Sequence, residues 1–465
     1  MVKKPLAGVR SDPTGEASFG RYPFTRKEIT AIAGALAEPL WMMNRRWEAM
    51  RQFQALVSAP VAGIGKSEAE ADALSAGDMV GPDRTKKLKP ARIPAAIARP
   101  VAGRRTGGQI AFTGGREIRG TLDSSIRRSG VYFSSFTGST GEAPKPLRKW
   151  LGRIVPAEAG KTAALASAVY DYGLLVYVPR GVRVEKPLQS LFWMPGRGIR
   201  AYRMLIILED DAQLALFHEN AAPDERHESV RLGTVEILVG RNGKLDFVHQ
   251  QLWGKNIRHF VQQKAVVQKN GLLQWTGACW GSRVSAASLD LDLVGEGATG
   301  SWTGLTFLDS DRRGDCVTRQ NHLAPRTKSD LSYRAVLAGE SRSAWSGMVY
   351  VAPGSDQADG YQANRNLMLS GRARSVSRPG LEILTDDVRC SHGVATGALN
   401  PEEIFYLNSR GISGGDAARL LVEGFLDAAI EKIPLNGAKD RIRQTAQKEI
   451  ARLGEEEIPI HGVEI

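Results

Sequence analysis

The chain has 465 residues, 42% hydrophobic and 24% charged, which is too long for one ordinary core and has the composition of a globular rather than a disordered protein. Its net charge of +12 invites an anionic partner, yet eight basic and no acidic residues lie between Arg84 and Arg105, and without them 54 basic residues face 50 acidic ones. The bulk charge therefore does not mark a nucleic-acid-binding or membrane-surface protein; the excess sits in one proline-punctuated stretch that reads as a solvated linker, with an anion-binding patch as the alternative.

Along the chain, Thr25 and Glu28 have capping-box spacing, and Ile29, Ile32 and Leu36 follow at helical intervals. Pro39 interrupts, and a second helix is expected from about Trp41 to Leu56, its aromatic and methionine residues packing on the body rather than forming a ligand box. Residues 60–110 read as linker. The run from Lys161 to Tyr170 predicts a helix ended by Gly173, and Leu174–Val178 a strand. From about residue 188 to 395 strands dominate: Leu289, Leu291 and Leu293 alternate with Asp290 and Asp292. Turn clusters begin near Gly295, Asp309, Pro325, Gly339, Pro353 and Ser370, at spacings of 14, 16, 14, 14 and 17. That rhythm is longer than the roughly 8–12 residues of a compact sandwich and suits a winding solenoid, though a large sandwich or jelly roll stays open. Asn400-Pro401-Glu402-Glu403 starts a helix that Gly411 ends; Ser413–Asp416 starts another, with Leu420, Leu421, Phe425, Ala428 and Ala429 as its apolar face. A last helix from about Ala438 to Leu453 carries Ile442, Ala446, Ile450 and Leu453 on one side.

Gly160-Lys161-Thr162 has the tail of a phosphate loop, but Val155 stands where the motif needs glycine, so no nucleotide is expected on this chain. Three cysteines, Cys279, Cys316 and Cys390, fit a reducing compartment, and no Cys-x-x-Cys pair offers a zinc finger. No run approaches the roughly 18 apolar residues of a membrane helix, and the start lacks a signal peptide, so a cytoplasmic location is expected. The group of most interest is Asp386-Asp387-Val388-Arg389-Cys390-Ser391-His392-Gly393. On a strand Cys390 and His392 share a face, and thiolate plus imidazole suits iron or a cluster. Asp386 or Asp387 would orient the histidine from behind. By spacing alone, a packed cysteine beside a hydrogen-bonded histidine is the commoner arrangement. The other histidines have no ligand spacing and read as structural, and Cys316 would approach His392 only if the fold brought their strands together.

Several stretches resemble the SufB/SufD family of the SUF iron–sulfur cluster assembly system: Val155–Lys161, Val176–Gly181 with Glu185–Leu188, Asn321–Pro325, Gln362–Leu367, and above all Leu381–Gly411 with Phe405-Tyr406-Leu407 and Ser409–Ile412. Glu38–Met42 is similar to the family's N-terminal helix. The Cys390-Ser391-His392-Gly393 run looks nearest to SufD; SufB-like chains carry Glu-His-Glu here and an acceptor cysteine near the position of Ser375. The resemblance implies a mainly β protein, a right-handed parallel β-helix flanked by N-terminal and C-terminal helical domains. The divisions expected are 1–110 (helical segment and basic linker), 111–187 (mixed), 188–398 (β-helix) and 399–465 (helical). It implies a non-catalytic scaffold holding a transient iron–sulfur cluster, with His392 and then Cys390 as candidate ligands. The implied partners are a SufB-like subunit or a second copy, a sulfur donor protein, and the ABC ATPase SufC docking near Phe405, Tyr406, Arg410 and Phe425. Three rivals remain: a SufB-like subunit pairing with itself, a β-helical polysaccharide-acting enzyme that would use Asp290 and Asp292, and nucleic-acid binding through the basic stretch.

Overall fold

The computed structural model describes residues 24–56, 93–94, 106–136, 143–223 and 228–453. The basic stretch, apart from Ile93 and Pro94, lies outside the described residues, as do His227 and His461. Helix α1 (Arg26–Ala35) starts at the capping box Thr25–Glu28, and α2 (Leu40–Ala55) follows Pro39. Next come β1 (Gly108–Thr113), β2 (Arg116–Leu122), α3 (Ser124–Arg128), β3 (Tyr132–Ser135), α4 (Lys145–Trp150), α5 (Lys161–Val169) and β4 (Tyr172–Val178). Gly173 does not end α5; it lies inside β4, where the Phe136 ring fills the space a Cβ would need.

Strands then alternate between two sheets. One takes β5 (Leu188–Trp193), β7 (Gln213–Ala221), β9 (Lys244–Trp253), β11 (Leu272–Gly281), β13 (Thr299–Leu308), β15 (Lys328–Leu337), β17 (Ala358–Met368) and β19 (Val388–Ala398). The other takes β6 (Gly198–Leu208), β8 (Ser229–Val239), β10 (Ile257–Val267), β12 (Val284–Leu293), β14 (Arg313–His322), β16 (Arg342–Val351) and β18 (Arg374–Ile383). Successive strands of each sheet are parallel, so the chain winds as a β-solenoid. Thr299 pairs with Lys328, Lys328 with Asp359 and Asp359 with Arg389, giving coils of 29, 31 and 30 residues, twice the turn interval in the sequence.

The corners explain why no strict repeat is visible. Asp211, Asn242, Asn270, Gly297, Arg326 and Gln357 all take the left-handed conformation at equivalent corners. Each donates its N–H to a carbonyl of the next coil, and Asn270 donates to Asn242 as Asn242 does to Asp211. Backbone geometry is repeated while residue identity is not.

Side chains alternate in and out of the solenoid. Leu289, Leu291 and Leu293 join a lumen core with Tyr202, Phe247, Trp275 and Trp345. The outer face of the second sheet is covered by α1, α2, α4 and α5: Met50 and Phe53 pack with Leu205, Leu232 and Phe260. Arg46 is buried there, paired with Glu38 and 3.5 Å from the Tyr170 ring centre. The outer face of the first sheet is covered by α7 (Gly414–Ile430) and α8 (Asn436–Ala451), and α6 (Pro401–Ser409) packs on α7. Ile93 packs on Leu191, Trp193 and Ala221 of that sheet.

Candidate functional site

The last coil is the open end. Among the described residues strand β19 pairs only with β17, and β18 only with β16, so each leaves one edge unpaired there. Residues of β19 that face the lumen have no further coil above them. Cys390 is aligned with Gly360 and His392 with Gln362. Thr396, on the same face, accepts from Asn366 at 3.1 Å, and Asn366 also bonds Asn364 and Ser377. This polar network fixes the strand whose next inward positions are Val394, His392 and Cys390. Cys390 is half-buried near Gly360 and His322, whereas His392 is exposed. The period-2 expectation for Cys390 and His392 therefore holds, and both stand at the mouth of the lumen.

Burial pushes the Cys390 thiol up, with the Gly360 backbone hydrogen bond opposing it, so it rests as a thiol at neutral pH. Among the described residues no three His, Cys, Asp or Glu side chains converge as a metal site. Two donors are half of a tetrahedral shell, so Cys390 and His392 by themselves do not complete an iron site. Asp386 and Asp387 are not brought to the histidine. They form the turn before β19, where the Asp387 carbonyl accepts from Gln357. Five residues of strand separate Asp387 from His392, about 16 Å.

Around this mouth apolar side chains are exposed: Val394 is 44% and Leu384 50% exposed, and Leu381 and Ile383 are exposed too. Pro379 lies in β18 and has no N–H to donate. Strand β19 has no proline and offers its whole length for pairing.

On the C-terminal helices, Phe405 and Tyr406 are 59% and 57% exposed, and Arg410 lies 5.2 Å from the Tyr406 ring centre. Phe425 does not join them. It turns toward the solenoid, where Arg334 lies 5.0 Å from its ring centre. The face expected for α7 is also rotated. Ala418, Val422, Leu426 and Ile430 form the buried stripe, while Leu420 is 50% exposed and Ala428 is exposed. Asp416, Arg419, Glu423 and Asp427 form one polar stripe and leave a broad apolar face, so the helix sequence allowed more than one buried row; the i, i+4 row from Ala418 was the better signal. Leu420 is thus a surface residue that the sequence reading assigned to the core.

Gly160-Lys161-Thr162 opens α5 on a short turn at Ala157–Ala159. The amides of Gly152, Ile154 and Val155 just before it donate to Glu236, itself buried and paired with Arg203 at 2.6 Å. Those donors are occupied by a carboxylate. Cys279 and Cys316 lie in the lumen wall, where burial raises both thiols, and Cys316 is aligned with Trp345 in β16, away from β19. His218, His249, His259 and His322 are buried, and desolvation lowers all four. His322 sits between Thr327 and Ser329 at 2.8 Å each. Asp292 is not on a solvent face: it is buried, paired with Lys264 at 2.7 Å and bonded by Asn321.

Comparison with known proteins places residues 193–425 in the SufBD core domain of the SUF system of FeS cluster assembly, and residues 119–190 in the SufBD N-terminal region. The chain is 26% identical to an iron–sulfur cluster assembly SufBD family protein of Staphylococcus epidermidis, over 90% of this chain and 91% of that one. Relatives with the same description from Staphylococcus saprophyticus and Staphylococcus aureus are 25% identical over the same shares.

Proposed function

This chain belongs to the SufBD family of iron–sulfur cluster assembly proteins, and from that premise we propose that it is a non-catalytic scaffold subunit, nearest to SufD, that meets a SufB-like subunit or a second copy through its open solenoid end. The observation that carries this reading is the pair Cys390 and His392 at an uncapped lumen mouth, ringed by exposed Val394, Leu384 and Leu381. A partner strand added beside β19 would satisfy its free backbone edge and cover that ring. The iron–sulfur cluster, as cargo, would form at the joint, His392 donating an imidazole nitrogen to iron and the partner supplying the remaining ligands. Cys390, held as a thiol, is the weaker donor and a poor sulfur acceptor. Sulfide would come from a separate donor protein.

ATP hydrolysis is assigned to SufC, docking on α6 and α7 over Phe405, Tyr406, Arg410 and Leu420. Phe425 serves that contact from inside. Arg334 of β15 donates to its carbonyl at 2.8 Å, so a pull on α7 is passed to the solenoid two strands from β19 in the same sheet. Among the rivals, the polysaccharide-acting reading loses its carboxylate pair, because Asp292 is neutralised by Lys264. The deciding experiment is anaerobic co-expression with SufC-like and SufB-like subunits, followed by ATPase assay and iron and sulfide analysis of the purified complex. A stable complex with ATPase activity confined to SufC supports the scaffold; no association with either subunit, and no self-association, removes it.

A further inference from the structure

Helix α8 points at something. Arg441 bonds Glu219 of β7 at 3.1 Å, Thr445 reaches Gln250 of β9 at 3.5 Å, and the carboxyl of Glu449, one turn on, lies in the field of Arg312, Asp309 and Lys255. Lys255 and Asp309–Arg312 belong to the turns where β9 and β13 pass to β10 and β14. Glu219 and Gln250 are register partners, so the helix crosses from β7 to β9 and its end lies near a solenoid corner.

At that corner a groove of about 300 Å³ is lined by Arg258, Arg283, Arg313 and Arg342 with three carboxylates. Three of the four fall at one level: Arg258 aligns with Val284, Val284 with Arg313, and Arg313 with Arg342, while Arg283 stands one residue before Val284. Two of the carboxylates are already engaged, Glu228 by Arg283 and Glu340 by Arg372, which lies outside the groove. Among the described residues the Arg342 guanidinium has no hydrogen bond or ion pair. Parallel stacking has thus placed Arg313 and Arg342 on neighbouring strands whose backbones lie about 4.8 Å apart, an arrangement that like-charge repulsion disfavours unless anions lie between the side chains.

The described part of α8 and its cap end at Leu453, and the sequence continues Gly454-Glu455-Glu456-Glu457-Ile458-Pro459. We propose that the groove is the seat of this acidic segment, with Glu455–Glu457 laid across Arg313 and Arg342. Glu456 is three residues beyond Leu453, a reach of at most about 11 Å, and Arg312 beside Glu449 is the immediate chain neighbour of Arg313. The rival occupant is the segment carrying Asp224 and Glu225. Strand β8, which follows it in sequence, is four strands from Arg342, about 19 Å across the sheet, which favours the tail for the β14–β16 end of the groove. A seated tail would fasten α8, and with it the covering of the first sheet, to the second sheet.

Backbone hydrogen exchange of residues 455–460 in the full-length chain tests the seat. At low ionic strength exchange is expected to be slowed at least about tenfold against the same sequence as a free peptide. The slowing should vanish at about 1 M NaCl, where the screening length is about 3 Å, and in the Arg313→Gln/Arg342→Gln variant. It should survive Asp224→Asn/Glu225→Gln. Glu455→Lys/Glu456→Lys/Glu457→Lys combined with Arg313→Glu/Arg342→Glu should restore it. Free-peptide rates in the parent chain, or slowing that persists in Arg313→Gln/Arg342→Gln, overturn the proposal.

Discussion

The Arg334 guanidinium donates to the carbonyl of Phe425 at 2.8 Å and lies 5.0 Å from the centre of its ring, so one side chain ties helix α7 to strand β15 by two different contacts. Replacing it should loosen the helix without touching the lumen. Arg334→Ala is expected to lower stability by about 1.5–3 kcal/mol, the usual range for a hydrogen bond to a charged group. Urea denaturation of the two proteins measures this. A loss below the error of the fit would mean that the tie contributes nothing.

His392 is exposed and makes no contact that the fold needs, so His392→Ala should leave the urea midpoint within about 0.5 kcal/mol of the parent. Iron and sulfide per complex should fall severalfold while the complex itself still forms. Full cluster content in His392→Ala would sink the ligand role.

The open end should depend on its apolar ring. Val394→Glu places a charge where a partner would desolvate it, at a penalty of several kcal/mol. Sedimentation velocity is expected to report loss of self-association, or of association with a SufB-like subunit, with the monomer fold unchanged by circular dichroism. An unaltered assembly would place the interface elsewhere.

Acid should weaken this protein through its buried histidines. Desolvation brings His249 and His322 down to about 4 in the folded chain, and His218 and His259 to about 3. The unfolded chain takes up protons near the ordinary value of about 6.5. Below it the unfolded state binds more protons, so stability is full above about 6.5 and is lost as pH falls toward about 4. Each histidine contributes up to about 1.4 kcal/mol per pH unit in that window. Urea midpoints at pH 7 and pH 5 check the slope, and His322→Asn should reduce it by one histidine's share.

Gly281 has a φ of +82°, and a Cβ there would meet the Trp253 carbonyl oxygen, which also accepts from Ser282. Gly281→Ala combines backbone strain with a backbone clash and should lose at least about 1–3 kcal/mol. A thermal midpoint equal to the parent's would show that this corner can relax.

Much of the local structure was legible in the residues. Thr25–Glu28, Asn400-Pro401 and Ser413 start helices because their side chains satisfy the first free amides, a matter of neighbours in sequence. Leu289, Leu291 and Leu293 declared a strand with one buried face, and Cys390 and His392 a shared one, because side-chain alternation is intrinsic to extended backbone. The turn rhythm came through as half-coils.

Tertiary structure decided the rest. Which stripe of α7 is buried followed from the sheet it meets, so Leu420 lies outside and Phe425 inside. Asp386 and Asp387, next to the motif in sequence, are carried about 16 Å from His392 by an extended strand. Asp292 found Lys264 one coil away in space and 28 residues away in sequence. The arginines at positions 313, 342 and 374 are unrelated until parallel coils stack them in register. Sequence specifies what neighbours along the chain can do for each other; a solenoid makes neighbours of residues a whole coil apart, and only the winding determines which.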